Sequence, residues 1–276
     1  MDEYTTPDNS IELSELMPGV DNKVRIYCVT LSECMGDSVV QRCLSVLSNS
    51  EKEKSCRYRF QRDRQRYILT RALIRFLASE ILDGPPEGWE FKISSKGKPR
   101  LISNDFQFNI SHTTDYITCV IVKSGLIGID IEKRPKDASL HRLAAEFFAK
   151  EETEKVISST NLRQSKRFLS YWTLKEAYLK ARGIGIGDSL NSFWFELDEG
   201  ITIKLNAKTP FHNGFLDWNF RLFNLDATHV GALAASPDIS LNSVCFYMVV
   251  PFLRLLEERI ELCSNFDQLS TVSQTG

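Results

Sequence analysis

The sequence lacks the features of a membrane or secreted protein. No apolar run approaches the roughly 20 residues that a membrane-spanning helix needs, and the acidic N-terminus carries no apolar segment of a secretory signal. The seven cysteines are odd in number, scattered and never spaced Cys-x-x-Cys, which argues against a disulfide framework and a zinc site. We therefore expect a reduced, cytoplasmic protein with no membrane partner.

A large excess of one charge is also missing. The 34 Lys and Arg residues nearly balance the 36 Asp and Glu residues, giving a net charge of −2 at pH 7, so we expect no nucleic-acid partner. The charge is unevenly spread, however. Residues 51–75 contain nine basic and three acidic residues, whereas residues 1–20 contain five acids and no base. Positive charge is therefore concentrated in one segment.

The usual nucleotide-binding fingerprints are absent. No G-x-G-x-x-G follows a strand, and no lysine-containing phosphate loop of the Walker A type occurs. The glycines of "GIGIG" (183–187) follow a helical pattern, which is the reverse of a dinucleotide fingerprint.

The hydrophobic pattern predicts an α+β fold. Strands are predicted at 24–31, 89–94, 106–111, 116–122 and 127–132, helices within 38–82 and at 139–159 and 162–182, and a strand-rich remainder. Because the strands are mostly sequential, we expect α+β rather than a doubly wound parallel sheet. The predicted divisions are a loosely held acidic segment (1–22), an N-terminal half (23–124), a C-terminal half with a metal site (125–251) and a tail (252–276) with a helical turn or two.

The strand "GIDIE" places two carboxylates on one face. Alternate residues of a strand share a face, so Asp130 and Glu132 project to the same side. Mg²⁺ takes oxygen ligands and usually shares them with waters and phosphates, so the pair suggests a metal site. An edge strand with two exposed acids is the alternative.

Two shorter motifs suit anion binding. "FNISH" places Ser111 and His112 at a strand end, and "SSKGKPRL" places Lys98 beside Gly97, where the backbone can approach a ligand closely. A structural histidine and an ordinary turn are the alternatives.

The helix "YWTLKEAYLKAR" carries Glu176 and Lys180 four residues apart, and therefore adjacent on its surface. Glu176 suits a metal ligand or base and Lys180 a phosphate-binding cation. The alternative is an ion pair worth a few tenths of a kcal/mol.

In order and spacing, KGKP, FNISH, GIDIE and W-x-x-KEAYLK resemble the motifs of the 4'-phosphopantetheinyl transferases, specifically the long monomeric type that activates peptide synthetases. The resemblance covers residues 24 to 250 or so. It implies two similar α/β halves in one chain, related by a pseudo-twofold axis, with the active site and coenzyme A in the cleft between them. A monomer is expected, because one chain supplies both halves.

The resemblance also implies the reaction. A serine of an apo acyl or peptidyl carrier protein would attack coenzyme A, giving the holo carrier and 3',5'-ADP. The implied Mg²⁺ ligands are Asp130, Glu132 and Glu176, and Lys180 would neutralise the transferred phosphate. The base would be Glu176, directly or through a metal-bound water, or Glu152 of "FFAKEE".

The remaining implied residues bind coenzyme A. Ser111 and His112 would contact the diphosphate and the 3'-phosphate, and Gly97 and Lys98 would form part of the adenosine 3'-phosphate site. In the basic segment, candidates for the same phosphate are Lys54 and Arg66, for which a solvated helix surface is the alternative.

Two other functions are considered. A catalytically inactive module that binds coenzyme A or a carrier would be expected to have lost some of these residues, and none is lost. "GDSL" (187–190) suggests a hydrolase, but it lies late in the chain, and the one Asp-x-x-His spacing, Asp226 to His229, falls inside a strand-rich region.

Overall fold

The structure is a computed structural model. It describes residues 23–103, 105–135, 139–184, 190–197, 203–208, 217–252, 254–258 and 262–263. Runs of helices are separated by runs of mainly antiparallel strands, so the predicted α+β class is confirmed. Within these ranges, no helix has the length and apolar character that crossing a membrane would require.

Seven α-helices occur in the described ranges. They are α1 (Leu31–Cys34), α2 (Asp37–Ser45), α3 (Asn49–Cys56), α4 (Gln61–Leu82), α5 (Leu140–Phe147), α6 (Lys150–Ile157) and α7 (Asn161–Arg182). Helix α4 buries the apolar face that its sequence predicts, with Leu69 and Leu73 fully buried. Helix α7 ends at Gly183, whose left-handed backbone (φ 68°) suits a residue without a Cβ.

Thirteen strands occur in the same ranges. They are β1 (Val24–Thr30), β2 (Phe91–Ile93), β3 (Pro99–Leu101), β4 (Gln107–His112), β5 (Tyr116–Val122), β6 (Ile127–Lys133), β7 (Phe193–Glu196), β8 (Lys204–Ala207), β9 (Asn219–Asn224), β10 (His229–Ala235), β11 (Val244–Val250), β12 (Arg254–Glu258) and β13 (Leu262–Cys263). The first sheet has the order β12-β11-β1-β5-β4, the second has the order β13-β9-β10-β6, and β2–β3 and β7–β8 are separate pairs.

Buried apolar side chains define four layers. The first sheet packs one face on α2 and α4 through residues such as Tyr27 and Leu73, and the second sheet packs one face on α5, α6 and α7. The other faces of the two sheets pack on each other, for example through Ile26 and Leu233. The layer order is therefore helices, sheet, sheet, helices.

The division between 23–124 and 125–251 stays a prediction. Strand pairing crosses it, because β11 lies parallel to β1 in the first sheet, with Ile26 opposite Phe246. The last strand of the second range therefore completes the sheet of the first.

The predicted helical turns at 252–276 are wrong for the part that the structure describes. Residues 254–258 and 262–263 form β12 and β13. The residues "RLLEE" have high helix propensity, but the free edge of β11 offers backbone partners, and β12 pairs with it.

The turn "KGKP" also leads into a short strand, β3, which the sequence pattern does not predict.

Candidate active site

Strand β6 and helix α7 approach each other closely at Gly128. A Cβ at this position would lie 2.0 Å from a backbone carbonyl oxygen of α7, so only glycine fits. Asp130 and Glu132 follow at alternate positions of the same strand and therefore share the face of Gly128. The glycine thus brings both carboxylates against the helix that carries Glu176.

A charged cluster joins β4, β6 and α7. The ammonium of Lys180 donates to Asp130 Oδ1 at 2.6 Å and to Ser111 Oγ at 2.9 Å. The hydroxyl of Ser111 donates to the same carboxylate oxygen at 2.8 Å. The structure therefore brings together three residues that the sequence analysis took from three separate motifs.

Two carboxyl groups beside this cluster have raised pKa values. Burial, followed by the charge of Asp130, raises the pKa of Glu132 and the pKa of Glu176, each to about 7. The charge of Lys180 opposes both increases, and Glu176 raises the pKa of Glu132 further. The negative charges of the three side chains therefore act on one another across the β6–α7 contact.

Two buried oxygens at the site have no hydrogen-bond partner among the described residues, namely Asp130 Oδ2 and Glu176 Oε1. Buried polar atoms usually have partners, so an unpartnered one needs an explanation, such as strain, a catalytic role, or a bound water or ion. The described residues contain no group of three His, Cys, Asp or Glu side chains placed as they stand to hold a metal ion. The donor set of Asp130, Glu132 and Glu176 nevertheless fits Mg²⁺ by its chemistry, because this ion prefers carboxylate oxygens.

Positive charge continues from this cluster to β4 and α4. Partial enclosure of His112, together with the charges of Arg66 and Lys180, lowers the pKa of His112. The guanidinium of Arg66 also donates to Asp63 at 2.7 Å. The charges of Arg66 and Lys180 therefore both act on His112. Two of these residues, His112 and Arg66, are predicted contacts of an anionic ligand.

Comparison with known proteins identifies the family. Residues 37–124 match the family model "4'-phosphopantetheinyl transferase, N-terminal", and residues 126–234 match the "4'-phosphopantetheinyl transferase superfamily". A phosphopantetheinyl transferase of Thraustochytrium sp. is 33% identical over 215 residues, which cover 72% of this chain and 73% of that protein. The chain belongs to the 4'-phosphopantetheinyl transferase superfamily.

Two bacterial relatives agree with this assignment. A 4'-phosphopantetheinyl transferase of Bacillus subtilis is 31% identical over 217 residues, which cover 78% of this chain and 94% of that protein. The 4'-phosphopantetheinyl transferase gsp of Aneurinibacillus migulanus is 35% identical over 168 residues, covering 59% of this chain and 69% of that protein. The resemblance noted from the motifs is therefore confirmed, and the chain is a transferase of the long type.

Lys98 has a contact in the transferase that the sequence analysis does not predict. Its ammonium donates to the backbone carbonyls of Lys180 and Ala181 at 2.8 and 3.1 Å. Burial, with a contribution from the charge of Arg100, lowers the pKa of Lys98 to about 8. Gly97 forms the preceding turn with a left-handed backbone (φ 85°). Lys98 therefore caps the C-terminal end of α7, as cations at helix ends do.

The basic segment combines structural and exposed residues. The carboxylate of Glu51 accepts the backbone N–H of Ser48, the N-cap residue of α3, in a capping box. It also pairs with Arg71 and Arg75 of α4 at 2.6 and 2.9 Å, so these three charges hold α3 and α4 together. Lys54 is exposed and lies 5.5 Å from the ring centre of Tyr67. The role of Lys54 towards a phosphate stays a prediction.

Glu152 is occupied by structural contacts. It has no exposed surface, pairs with Lys175 at 2.8 Å, and accepts the backbone N–H groups of Ala149 and Phe195 at 3.2 and 3.0 Å. Lys175 itself donates to two backbone carbonyls of the segment that begins β7. These contacts argue against Glu152 as the general base and show that the first lysine of "KEAYLK" is structural.

One contact of the site was missed from the sequence. The indole N–H of Trp172 donates to the carboxylate of Glu132 and opposes the net increase in the pKa of that group. Trp172 lies four residues before Glu176 on α7, and this helical spacing is the signal that could have placed it beside the carboxylates.

The hydrolase alternative receives no support. His229 is 2% exposed, with Nδ1 2.9 Å from Asp226 and Nε2 3.3 Å from Asp115. Both ring nitrogens therefore face carboxylates, and neither is open to a serine nucleophile. Residues 187–189 of the "GDSL" stretch lie outside the described residues.

Proposed function

We propose that this transferase moves the 4'-phosphopantetheine group of coenzyme A to a serine hydroxyl of an apo acyl or peptidyl carrier protein. The proposed reaction depends on Mg²⁺ and releases 3',5'-ADP. The observation that carries the proposal is the cluster in which Lys180 and Ser111 meet Asp130, while one oxygen each of Asp130 and Glu176 has no partner among the described residues. A cation beside free carboxylate oxygens is what transfer of a charged phosphoryl group requires.

In this proposal Asp130, Glu132 and Glu176 hold the metal ion. Burial and then mutual repulsion raise the pKa of Glu132 and Glu176, and a divalent cation would oppose both effects by favouring the ionised carboxylates. When bound, Mg²⁺ supplies positive charge to the diphosphate oxygens. The indole N–H of Trp172 donates to the carboxylate of Glu132 and is proposed to restrict its position.

Lys180 is proposed to neutralise the group in transfer. Its ammonium already lies among the site's oxygen atoms, bonded to Asp130 and Ser111. A preorganised cation at the place where charge develops is an effective way to lower a barrier. Ser111 fixes Lys180 and Asp130 relative to each other and is proposed to contact the diphosphate.

The proton of the carrier serine needs an acceptor. In the transfer, the bond from the serine oxygen to phosphorus forms as the bond from phosphorus to the 3',5'-ADP oxygen breaks, and the serine proton leaves. We assign its acceptance to Glu176, whose Oε1 has no partner in the described part of the chain. Glu152 is fully engaged elsewhere and is not assigned this step.

The anionic parts of coenzyme A are assigned to the positive region beside the cluster. Arg66 and His112 lie in the electrostatic environment of Lys180 and are proposed to bind the 3'-phosphate, together with Lys54 and the turn at Gly97 and Lys98. Lys98 would contribute from its position at the end of α7.

The test uses purified full-length protein, coenzyme A, Mg²⁺ and apo carrier proteins from fatty-acid, polyketide and peptide synthases. Intact-mass measurement should show a gain of one phosphopantetheine on at least one carrier. Absence of this gain on every carrier, with a characterised transferase modifying the same preparations, would refute the proposal.

A further inference from the structure

The two sheets meet at the site through side chains. Strand β4 is an edge strand of the first sheet, and β6 is an edge strand of the second. In the described ranges they share no backbone ladder; instead Asn109 Oδ1 accepts the backbone N–H of Ile129 at 3.0 Å, and Ser111 Oγ accepts that of Ile131 at 3.3 Å. Two side chains of β4 therefore satisfy two backbone donors of β6.

The residue between these two amides is Asp130. Its backbone is held on both sides, by Asn109 through Ile129 and by Ser111 through Ile131. The face of β6 that carries Asp130 is pressed against α7 at Gly128. The position of the Asp130 carboxylate thus depends on how β6 is fixed at this edge.

We propose that Asn109 is a positioning residue for the transfer reaction, acting through the backbone of Ile129 on the carboxylate of Asp130. Its link to catalysis rests on the proposed function. Sequence patterns do not reveal this role, because Asn109 lies between two apolar residues of a strand and its partner is a backbone amide.

The chemistry of the position favours an amide. Asn109 is 6% exposed, and without its side-chain oxygen the buried N–H of Ile129 would be left without this acceptor, which is destabilising. An aspartate would also supply an oxygen, but it would add a negative charge close to Asp130 and Glu132. A serine supplies a neutral acceptor, and Ser111 shows that a serine on β4 reaches a backbone amide of β6.

A matched control separates positioning from stability. Asn219 in β9 is a partly buried asparagine whose side-chain amide donates to the carbonyl of Ile239 at 2.8 Å. Its loss removes a comparable hydrogen bond away from the carboxylates. The experiment therefore compares wild type, Asn109→Ala, Asn109→Ser and Asn219→Ala as full-length proteins.

The first readout is hydrogen exchange of the peptide that covers residues 127–133. In wild type the amide of Ile129 should be protected, and in Asn109→Ala exchange in this peptide should be faster, while Asn219→Ala leaves it unchanged. One part of this test needs no variant: if the amide of Ile129 is not protected in the wild type, the proposal is overturned. Equal exchange in folded Asn109→Ala and wild type would do the same.

The second readout is binding of Mn²⁺ alone, followed by electron paramagnetic resonance, and the third is kcat with KM. Residues that support metal ligands typically affect affinity or activity by 10–100-fold. We expect a decrease of about that size in Mn²⁺ affinity and kcat for Asn109→Ala, substantial recovery in Asn109→Ser, and near-normal values for Asn219→Ala. If Asn109→Ala loses stability as Asn219→Ala does but keeps wild-type Mn²⁺ affinity and kcat, Asn109 is structural only.

Hydrogen exchange does not depend on the transfer assay, so the proposed function and the positioning role of Asn109 can be refuted separately. If wild type modifies no carrier, the proposed function fails, yet hydrogen exchange still decides whether Asn109 fixes β6. If wild type is active and the exchange and kcat of Asn109→Ala are normal, the positioning role fails and the proposed function stands.

Discussion

The ammonium nitrogen of Lys180 lies 2.6 Å from Oδ1 of Asp130, although the two residues are 50 positions apart in the chain. The side chain of Asp130 is 4% exposed and that of Lys180 is 28% exposed. A buried carboxylate needs such a partner, since its desolvation is otherwise costly. The second oxygen of Asp130 has no partner in the described ranges, and we propose that this atom binds the metal ion.

Replacing Lys180 should remove charge neutralisation and should also lower stability, because the buried carboxylate of Asp130 loses its partner. We expect Lys180→Ala to lower kcat by about 10²–10³-fold, as loss of one preorganised donor typically does. Steady-state kinetics and thermal unfolding are the measurements. Lys150→Ala is the control, because Lys150 is 82% exposed in its pair with Glu154. Near-normal kcat for Lys180→Ala would contradict its assignment.

Removing the metal should stop the transfer. Chelation of divalent ions is expected to abolish carrier modification, and added Mg²⁺ should restore it in wild type. Asp130→Asn should show no comparable recovery, because it loses charge at the proposed metal site, while Glu154→Gln should behave as wild type. Full turnover in chelator, or Mg²⁺ rescue of Asp130→Asn to the wild-type rate, would show that the carboxylates are misassigned.

Helix α7 was predictable from the sequence, but the contacts around it were not. Periodicity and a terminal glycine predict α7, and strand alternation predicts that Asp130 and Glu132 share a face. Neither pattern says which distant group a polar side chain contacts. Lys98 reaches the end of α7 across more than 80 positions, and such a contact depends on how the β2–β3 hairpin packs.

The burial of charged residues was also not predictable from the sequence. Lys175 and Glu152 both stand in motifs with charged residues, and such residues are usually exposed. Here both are almost completely buried and pair with each other, since each also finds backbone partners inside the protein. Sequence patterns show charge and spacing, whereas burial depends on the neighbouring elements.

The Lys175–Glu152 pair should contribute to stability and not to chemistry. Removing one partner leaves a buried charge uncompensated, so Lys175→Met is expected to lower the free energy of unfolding by about 3–5 kcal/mol. Denaturant titration is the measurement, with Lys150→Met as the exposed control. The double variant Lys175→Met/Glu152→Leu should recover much of the loss. If Glu152→Gln abolished kcat while remaining folded, Glu152 would have to be reconsidered as the base.

Glu51 should make stability depend on acidic pH. Burial raises its pKa, but the charges of Arg71 and Arg75 and the bond from Ser48 outweigh this and hold the pKa below its usual 4.5. The stabilisation from ionised Glu51 is therefore fully present above pH 4.5 and lost as the pH falls through the lower pKa of the folded protein.

The corresponding measurement is the free energy of unfolding of wild type and Glu51→Gln at several pH values. The difference between them should be constant above pH 4.5 and shrink below it. Glu154→Gln should differ little from wild type throughout. A difference for Glu51→Gln that grows as the pH falls would contradict the ion-pair account.

The most direct test of the whole account is the intact mass of apo carrier proteins after incubation with coenzyme A and Mg²⁺, using wild type and Glu176→Gln side by side. The account predicts a gain of one phosphopantetheine with wild type and almost none with folded Glu176→Gln over the same time. Unmodified carriers with wild type, or equal modification by both proteins, would contradict it.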